Sequence, residues 1–219
     1  MLRVERSLWS RGIGHVAGID EAGRGPLAGP VVAAAVIMPR GFYLPGVDDS
    51  KRLTAAVRCS LAGRIRDTAL AVGVGVVDHE TIDRVNILNA TFEAMHLAVE
   101  NLSIQPDFLL IDGNRYREGR GTRGEATPFA TIVRGDASCF SIAAASIIAK
   151  VTRDRMMEEF DAIYPLYGFV RHKGYATPQH RAAILRHGLC AIHRRSFTRR
   201  LIAELFDDRP VDICDREAG

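Results

Sequence analysis

The chain has no apolar run long enough to cross a membrane, and its N-terminus, Met1-Leu2-Arg3-Val4-Glu5-Arg6, is too charged for the apolar centre of a signal peptide. The expectation is a cytoplasmic protein with no membrane partner. Cysteine is scarce. Cys59, Cys139, Cys190 and Cys214 stand far apart with no C-x-x-C pair, which spells out neither a zinc knuckle nor a redox motif and suits a reducing compartment. There is no internal repeat and no low-complexity segment, and no strong excess of one charge, the formal net charge being +3. With a quarter of its residues charged, the composition is neither disordered nor fibrous. What remains is 219 residues at 47% hydrophobic content, enough for one sizeable core and a tail.

The charge that is present is unevenly placed. Between Arg171 and Arg200 lie eight Lys or Arg residues, four histidines and no acid, in a chain that carries 26 acids. Such a block is either a solvated helical face or a surface for a polyanion, and thirty residues without a carboxylate favour the polyanion.

His15 to Glu21 reads as a strand, and Pro30 to Met38, nearly all apolar, as a second one central to a sheet, with the glycine-rich stretch Ala22 to Gly29 as the turn between them. Thr54 is the expected N-cap of a helix running to about Leu70, and Ala71 to Asp78 returns as a strand, which gives an antiparallel start. Thr81 to Leu102 has the spacing of one helix, with Ile87, Leu88, Phe92, Met95 and Val99 along one side. Phe108 to Asp112 is a compact strand ending on an acid. A polar loop from Gly113 to Thr127 leads to a strand at Phe129 to Val133, then a long helix from about Ser141 to Ile163. The remainder is helical and basic, with Pro178 near the start of one helix and Gly188 near its end, and from about Asp207 the chain reads as a frayed acidic tail. Helices set between the later strands indicate an α/β sheet of mixed direction.

The chemistry is in the carboxylates. Asp20 and Glu21 are adjacent at the end of an apolar strand, just before the glycines; neighbouring strand residues face opposite ways, so both serve one site only if the strand ends or bulges there. Asp112 closes another apolar strand, and Asp136 follows a third after one glycine. Acids before or after glycine are also ordinary turn formers, an alternative that stays open for Asp112 and Asp136 taken singly. Four acids gathered at strand ends repel strongly enough to require a cation, and with no His or Cys at ligand spacing the all-oxygen set suits Mg²⁺ or Mn²⁺. The stretch Gly23 to Gly29 has the spacing G-x-G-x-x-x-G and is interrupted by Pro26, so it is not a dinucleotide fingerprint.

The runs GIDEAGRGPLAGPVVAAAV (Gly18 to Val36), DDSKRL (Asp48 to Leu53), LLIDGN (Leu109 to Asn114), RGDASCFSIAAASIIAKVTRDR (Arg134 to Arg155) and YGFVRHKGYATPQH (Tyr167 to His180) closely resemble bacterial ribonuclease HII, in the family's order and over nearly the whole chain. The resemblance implies a ribonuclease-H-like fold, a mixed sheet flanked by helices with a helical basic C-terminal part, and a metal-dependent endonuclease that cuts the RNA strand of RNA–DNA hybrids and single ribonucleotides embedded in duplex DNA. It implies Asp20, Glu21, Asp112 and Asp136 as catalytic metal ligands in a two-metal mechanism leaving 3′-hydroxyl and 5′-phosphate ends. Gly23, Arg24 and Gly25 match the turn that senses the 2′-hydroxyl, Tyr175 the tyrosine that stacks on the sugar beyond the cut, and Lys51 an element that meets the nucleic-acid backbone.

The segment Ser141 to Asp154 reads mainly as packing, its small residues Ala143, Ala144, Ala145 and Ser146 permitting close approach to the sheet, with Lys150 and Asp154 spaced for an ion pair. Arg134 stands where the family commonly has Lys, and Cys139-Phe140 where it is more polar, which bears on metal preference. The expected division is a catalytic core over residues 1–165, a basic substrate-binding part over 166–206 and a tail over 207–219, in a monomer. A fold-related DNA resolvase or transferase using the same acids is the alternative activity.

Overall fold

Residues 1–48, 50–118 and 127–206 are described by a computed structural model of the chain. Its helices are α1 (Arg3–Ser10), α2 (Ala55–Thr68), α3 (His79–Val85), α4 (Ile87–Glu100), α5 (Gly135–Ser138), α6 (Phe140–Ile163), α7 (Phe169–His172), α8 (Pro178–His187) and α9 (Arg195–Phe206). Its strands are β1 (Val16–Ala22), β2 (Val31–Ile37), β3 (Ala71–Val77), β4 (Phe108–Asp112) and β5 (Phe129–Ile132), and Ser50–Arg52 forms a 3₁₀ turn. The expected tail and the middle of the expected polar loop lie outside the described residues.

The five strands form one sheet in the order β3-β2-β1-β4-β5. The β1–β2 and β2–β3 pairs are antiparallel; β1–β4 and β4–β5 are parallel. β2 is buried at every position because both its edges and both its faces are covered, which is why its sequence shows no alternation. Ala34, Val36 and Leu110 pack on one face against α6, with α1 and α2 behind it; Ala17, Ile19, Ala33, Ala35 and Ile111 pack on the other face against α3 and α4. A third cluster joins α7, α8 and α9 to Ala28 and to Met157 of α6. No helix among the described residues is long and apolar enough to cross a membrane.

One expectation needs correction. The single helix over 81–102 is two, because Asn86 adopts φ 69° and its side chain accepts hydrogen bonds from the Leu88 and Asn89 amides, ending α3 and starting α4. The expected apolar side of α4 does face the core: Phe92 and Met95 are buried, Ile87, Leu88 and Val99 pack against the same cluster, and Ala90, Ala94 and Ala98 beside them are fully buried. α4 approaches β3 so closely that a Cβ on Gly75 would lie 2.0 Å from the Ala94 carbonyl oxygen and one on Gly73 2.0 Å from that of Ala98.

The long helix α6 is set at its N-terminal turn. Glu5 of α1 accepts from the Ser141 amide and hydroxyl at 3.0 Å each, satisfying donors of that turn. At the same turn, Gly18 of β1 lies directly under Ser141 and Ile142. As expected, Thr54 caps α2, and α8 starts at Pro178 and ends at Gly188, which has φ 75°; Thr177, which the sequence did not single out, caps it. Asp83 of α3 accepts from the Arg195 and Ser196 amides at 2.7 and 2.9 Å, so α9 is capped from across the fold.

Candidate active site

β1 pairs with β4 only as far as Ile19 opposite Ile111, so Asp20 and Asp112 follow at the point where the parallel pairing stops. Alternation places Asp20 on the α6 face, with Gly18. There it is 5% exposed, accepts from the Glu21 amide at 2.7 Å, and takes a further hydrogen bond from Ser146 of α6. Ser146 is held in turn by the Ser50 hydroxyl at 2.8 Å. Asp112 accepts from the Gly135 amide at 2.7 Å, and Asp136 in α5 is 5% exposed with its carboxylate 3.3 Å from Lys51 Nζ. Gly135 has to be small, since a Cβ there would meet Ile142 at 2.5 Å and the Asp112 carboxylate at 3.3 Å.

The strand neither ends nor bulges at Asp20–Glu21: its register with β2 runs unbroken through Ala22 opposite Val32. What ends is the partner on the other edge. With β4 finished, Glu21 acts electrostatically on the same cluster although alternation aims it at the opposite face. Its carboxylate pairs with Arg24 Nη1 at 3.2 Å.

Burial drives the Asp20 carboxyl well above its ordinary range, and the charges of Glu21 and Asp112 push it further. Glu21 is raised by burial against the opposing pull of Arg24 and Lys51. Asp112 is raised by burial and by Asp136, and partly restored by the Gly135 and Asp136 amides. Acids from β1, β4 and α5 thus form one interacting set. Among the described residues no three His, Cys, Asp or Glu side chains are gathered closely enough to cage a metal as they stand. Mutual repulsion is offset by Arg24 and Lys51, and the donor chemistry, carboxylate oxygen alone, fits a hard divalent cation.

Lys51 stands over these acids, with most of its side chain exposed. Gly23 is buried at φ +100°, while Arg24 and Gly25 are exposed, and a Cβ on Gly25 would be 3.8 Å from Tyr175 Cε1. Tyr175 is 44% exposed and lines a cleft of about 800 Å³ with Arg58, Lys150, Asp154, Arg171 and Lys173. The expected Lys150–Asp154 pair is present at 2.7 Å.

The basic block is only partly a surface. Arg171, Arg181, Arg186, Arg195 and Arg199 are exposed, but His172, His180, His193 and Arg194 are buried. His180 and His193 meet at 3.0 Å between their Nε2 atoms, and burial takes both down to about 4, so they pack as neutral rings. Two residues escaped the sequence reading. Arg194 is fully buried, and so is Arg153 of α6; burial lowers them to about 9 and about 10, so both are charged at neutral pH. Arg194 was hidden among surface arginines, whereas Arg153 falls on the buried stripe Ser146, Ala149, Arg153, Met157, a visible helical signal.

Residues 17–200 match the family model described as Ribonuclease HII. A ribonuclease HII from Geobacter metallireducens is 58% identical over 200 residues, covering 88% of this chain and 91% of that protein. The crystal structure of ribonuclease H2 from Pyrococcus horikoshii OT3 superposes with a TM-score of 0.73 at 28% identity, over 89% of this chain and all (100%) of that one. Bst-RNase HIII, solved in complex with Mn²⁺, has a TM-score of 0.70 over 90% of this chain and 73% of its own, and at 23% identity it speaks for the fold alone. With the acid-lined sheet end, the family match and these relatives together, the chain belongs to the ribonuclease HII family and is an endonuclease of the ribonuclease H type.

Proposed function

We propose that Asp20, Glu21, Asp112 and Asp136 are the catalytic acids, that they hold Mg²⁺ or Mn²⁺ at the scissile phosphate, and that the substrates are the RNA strand of RNA–DNA hybrids and single ribonucleotides embedded in duplex DNA. The observation that carries this reading is the shared electrostatics of acids drawn from β1, β4 and α5. A hard dication relieves a repulsion that Arg24 and Lys51 only partly offset. Bound there, two dications supply charge neutralisation at the phosphate oxygens and a more acidic attacking water.

The chain's own groups do the rest. Main-chain atoms of the Gly23–Gly25 turn approach the 2′-hydroxyl, the one group that separates RNA from DNA at the cut. Tyr175, exposed beside that turn, offers its ring to the neighbouring sugar. Lys51, its side chain 78% exposed, is long enough to turn from Asp136 onto a phosphate. The exposed arginines between Arg171 and Arg199 hold the duplex backbone, which makes residues 166–206 the substrate-binding part. The products carry 3′-hydroxyl and 5′-phosphate ends.

The test is cleavage of a duplex with one embedded ribonucleotide, with and without Mg²⁺ and Mn²⁺, beside the same duplex in all-DNA form. Cleavage is expected only with metal and only at the ribonucleotide. Asp112→Asn is expected to abolish cutting while hybrid binding, which phosphate contacts dominate, survives. Undiminished cleavage by that variant removes the site, and equal cutting of the all-DNA duplex transfers the chain to the DNA resolvase or transferase reading.

A further inference from the structure

The guanidinium groups of the two buried arginines reach main-chain carbonyls of the turn that joins β1 to β2. Arg194 donates to the carbonyls of Gly23 at 2.6 Å, Gly29 at 2.9 Å, Arg24 at 3.0 Å and Pro30 at 3.1 Å. Arg153 donates to Pro30 at 2.9 Å, Ala28 at 3.1 Å and Lys173 at 3.0 Å. Burying two such charges is costly unless their donors are met, and a planar fork with five N–H groups meets several carbonyls at once where an ammonium does not.

The orientation has a consequence on the other side of the turn. In a trans peptide the C=O and the following N–H point opposite ways, and no described peptide bond is cis. Drawing the Gly23 and Arg24 carbonyls inward therefore aims the Arg24 and Gly25 amides outward, on the exposed side where Tyr175 stands. Two successive outward donors make a small cradle for an oxygen. Arg153 also ties Lys173, two residues before Tyr175, to the same turn, and Leu27 adds a 2.8 Å amide bond to the Gly174 carbonyl. Gly23 cannot carry a side chain, since its Cβ would sit 2.1 Å from Arg153 Nε.

We propose that Arg153 and Arg194 are positioning residues for ribonucleotide recognition: they hold the Arg24 and Gly25 amides toward the substrate and set the gap between that turn and Tyr175. The proposal rests on the reading of the turn given above. Arg194→Lys and Arg153→Lys keep the charge and lose the fork. The measurement is the single-turnover cleavage rate per folded molecule on the single-ribonucleotide duplex, beside duplex affinity and melting temperature, with the all-DNA duplex as the control that is not cut. The rate is expected to fall about tenfold, the worth of one well-made hydrogen bond at its upper range. Duplex affinity, set by phosphate contacts, is expected to stay within about twofold. A merely structural role lowers melting temperature and leaves the rate per folded molecule untouched, which overturns the proposal. Wild-type enzyme that cuts the all-DNA duplex equally refutes the turn reading itself; discriminating wild type with variants of undiminished rate refutes only the arginine assignment.

Amide hydrogen exchange in Asp112→Asn needs no change in the clamp and tests the outward amides even where an arginine variant fails to fold. The ribonucleotide duplex is expected to protect the Arg24 and Gly25 amides, and equal protection by the all-DNA duplex overturns the turn reading and the proposal that rests on it.

Discussion

Gly18 lies on β1 two residues before Asp20, and a methyl group there would stand 2.1 Å from the Ser141 carbonyl carbon and 2.3 Å from the Ile142 nitrogen of α6. Both contacts are backbone, so no side-chain rotation relieves them. Reaching an ordinary contact of 3.4 Å requires the helix and strand to part by roughly 1.3 Å. Overpacking of this kind costs about 1–3 kcal/mol, and a backbone clash belongs at the upper end. For a chain of this size about 3 kcal/mol lowers the melting temperature by roughly 6–12 °C. The same displacement moves Ser146 from Asp20 and disturbs α5, which carries Asp136, and misplacement by about 1 Å can cost on the order of 100-fold in rate. Gly18→Ala is therefore expected to lose both stability and kcat, measured by thermal unfolding and by Mn²⁺-dependent cleavage at a temperature where the variant is folded. Gly63→Ala in the exposed middle of α2, with nothing within 4 Å of its Cβ, is the control. It is expected to gain up to about 1 kcal/mol with kcat unchanged. A Gly18→Ala protein melting within about 2 °C of wild type with full kcat would refute the claim that the α6–β1 distance sets the site.

Asp20, Glu21 and Asp112 bind protons more tightly folded than unfolded, so without metal they oppose folding increasingly as pH rises above the ordinary carboxylate range of about 4. Metal-free Asp20→Asn is expected to melt higher than wild type at pH 7 and to converge with it below about pH 4, while saturating Mn²⁺ stabilises wild type more than the variant; a variant that melts lower at pH 7 contradicts the charge-repulsion account. Asn86→Ala loses the acceptor for two α4 amides and leaves alanine at φ 69°, an expected cost of about 1–2 kcal/mol in urea unfolding with cleavage per folded molecule preserved. No change in unfolding would show that Asn86 does not hold the α3–α4 junction.

Sequence reading succeeded where the deciding forces were local. Thr54 announced α2 because a cap acts within three residues, Pro178 and Gly188 bounded α8 in the same local way, and the acids at the ends of apolar strands stood out because Asp20 and Asp112 end runs of buried residues. It failed at α3–α4 because apolar spacing continues across Asn86, whose left-handed backbone leaves no trace in periodicity. It did find the buried side of α4, since Phe92 and Met95 lie in the core, but not the close approach to β3 that Gly73 and Gly75 permit.

The sequence by itself determined the strands, their capped helices and which carboxylates end up at strand termini, since each follows from contacts between near neighbours. Only the tertiary structure decided that Glu21 joins Asp20 despite strand alternation, because that depends on where β4, some ninety residues away, stops pairing. Tertiary structure also decided that Arg153 and Arg194 face inward: a charge leaves water only when carbonyls from distant segments replace it, and no local pattern shows where those carbonyls point.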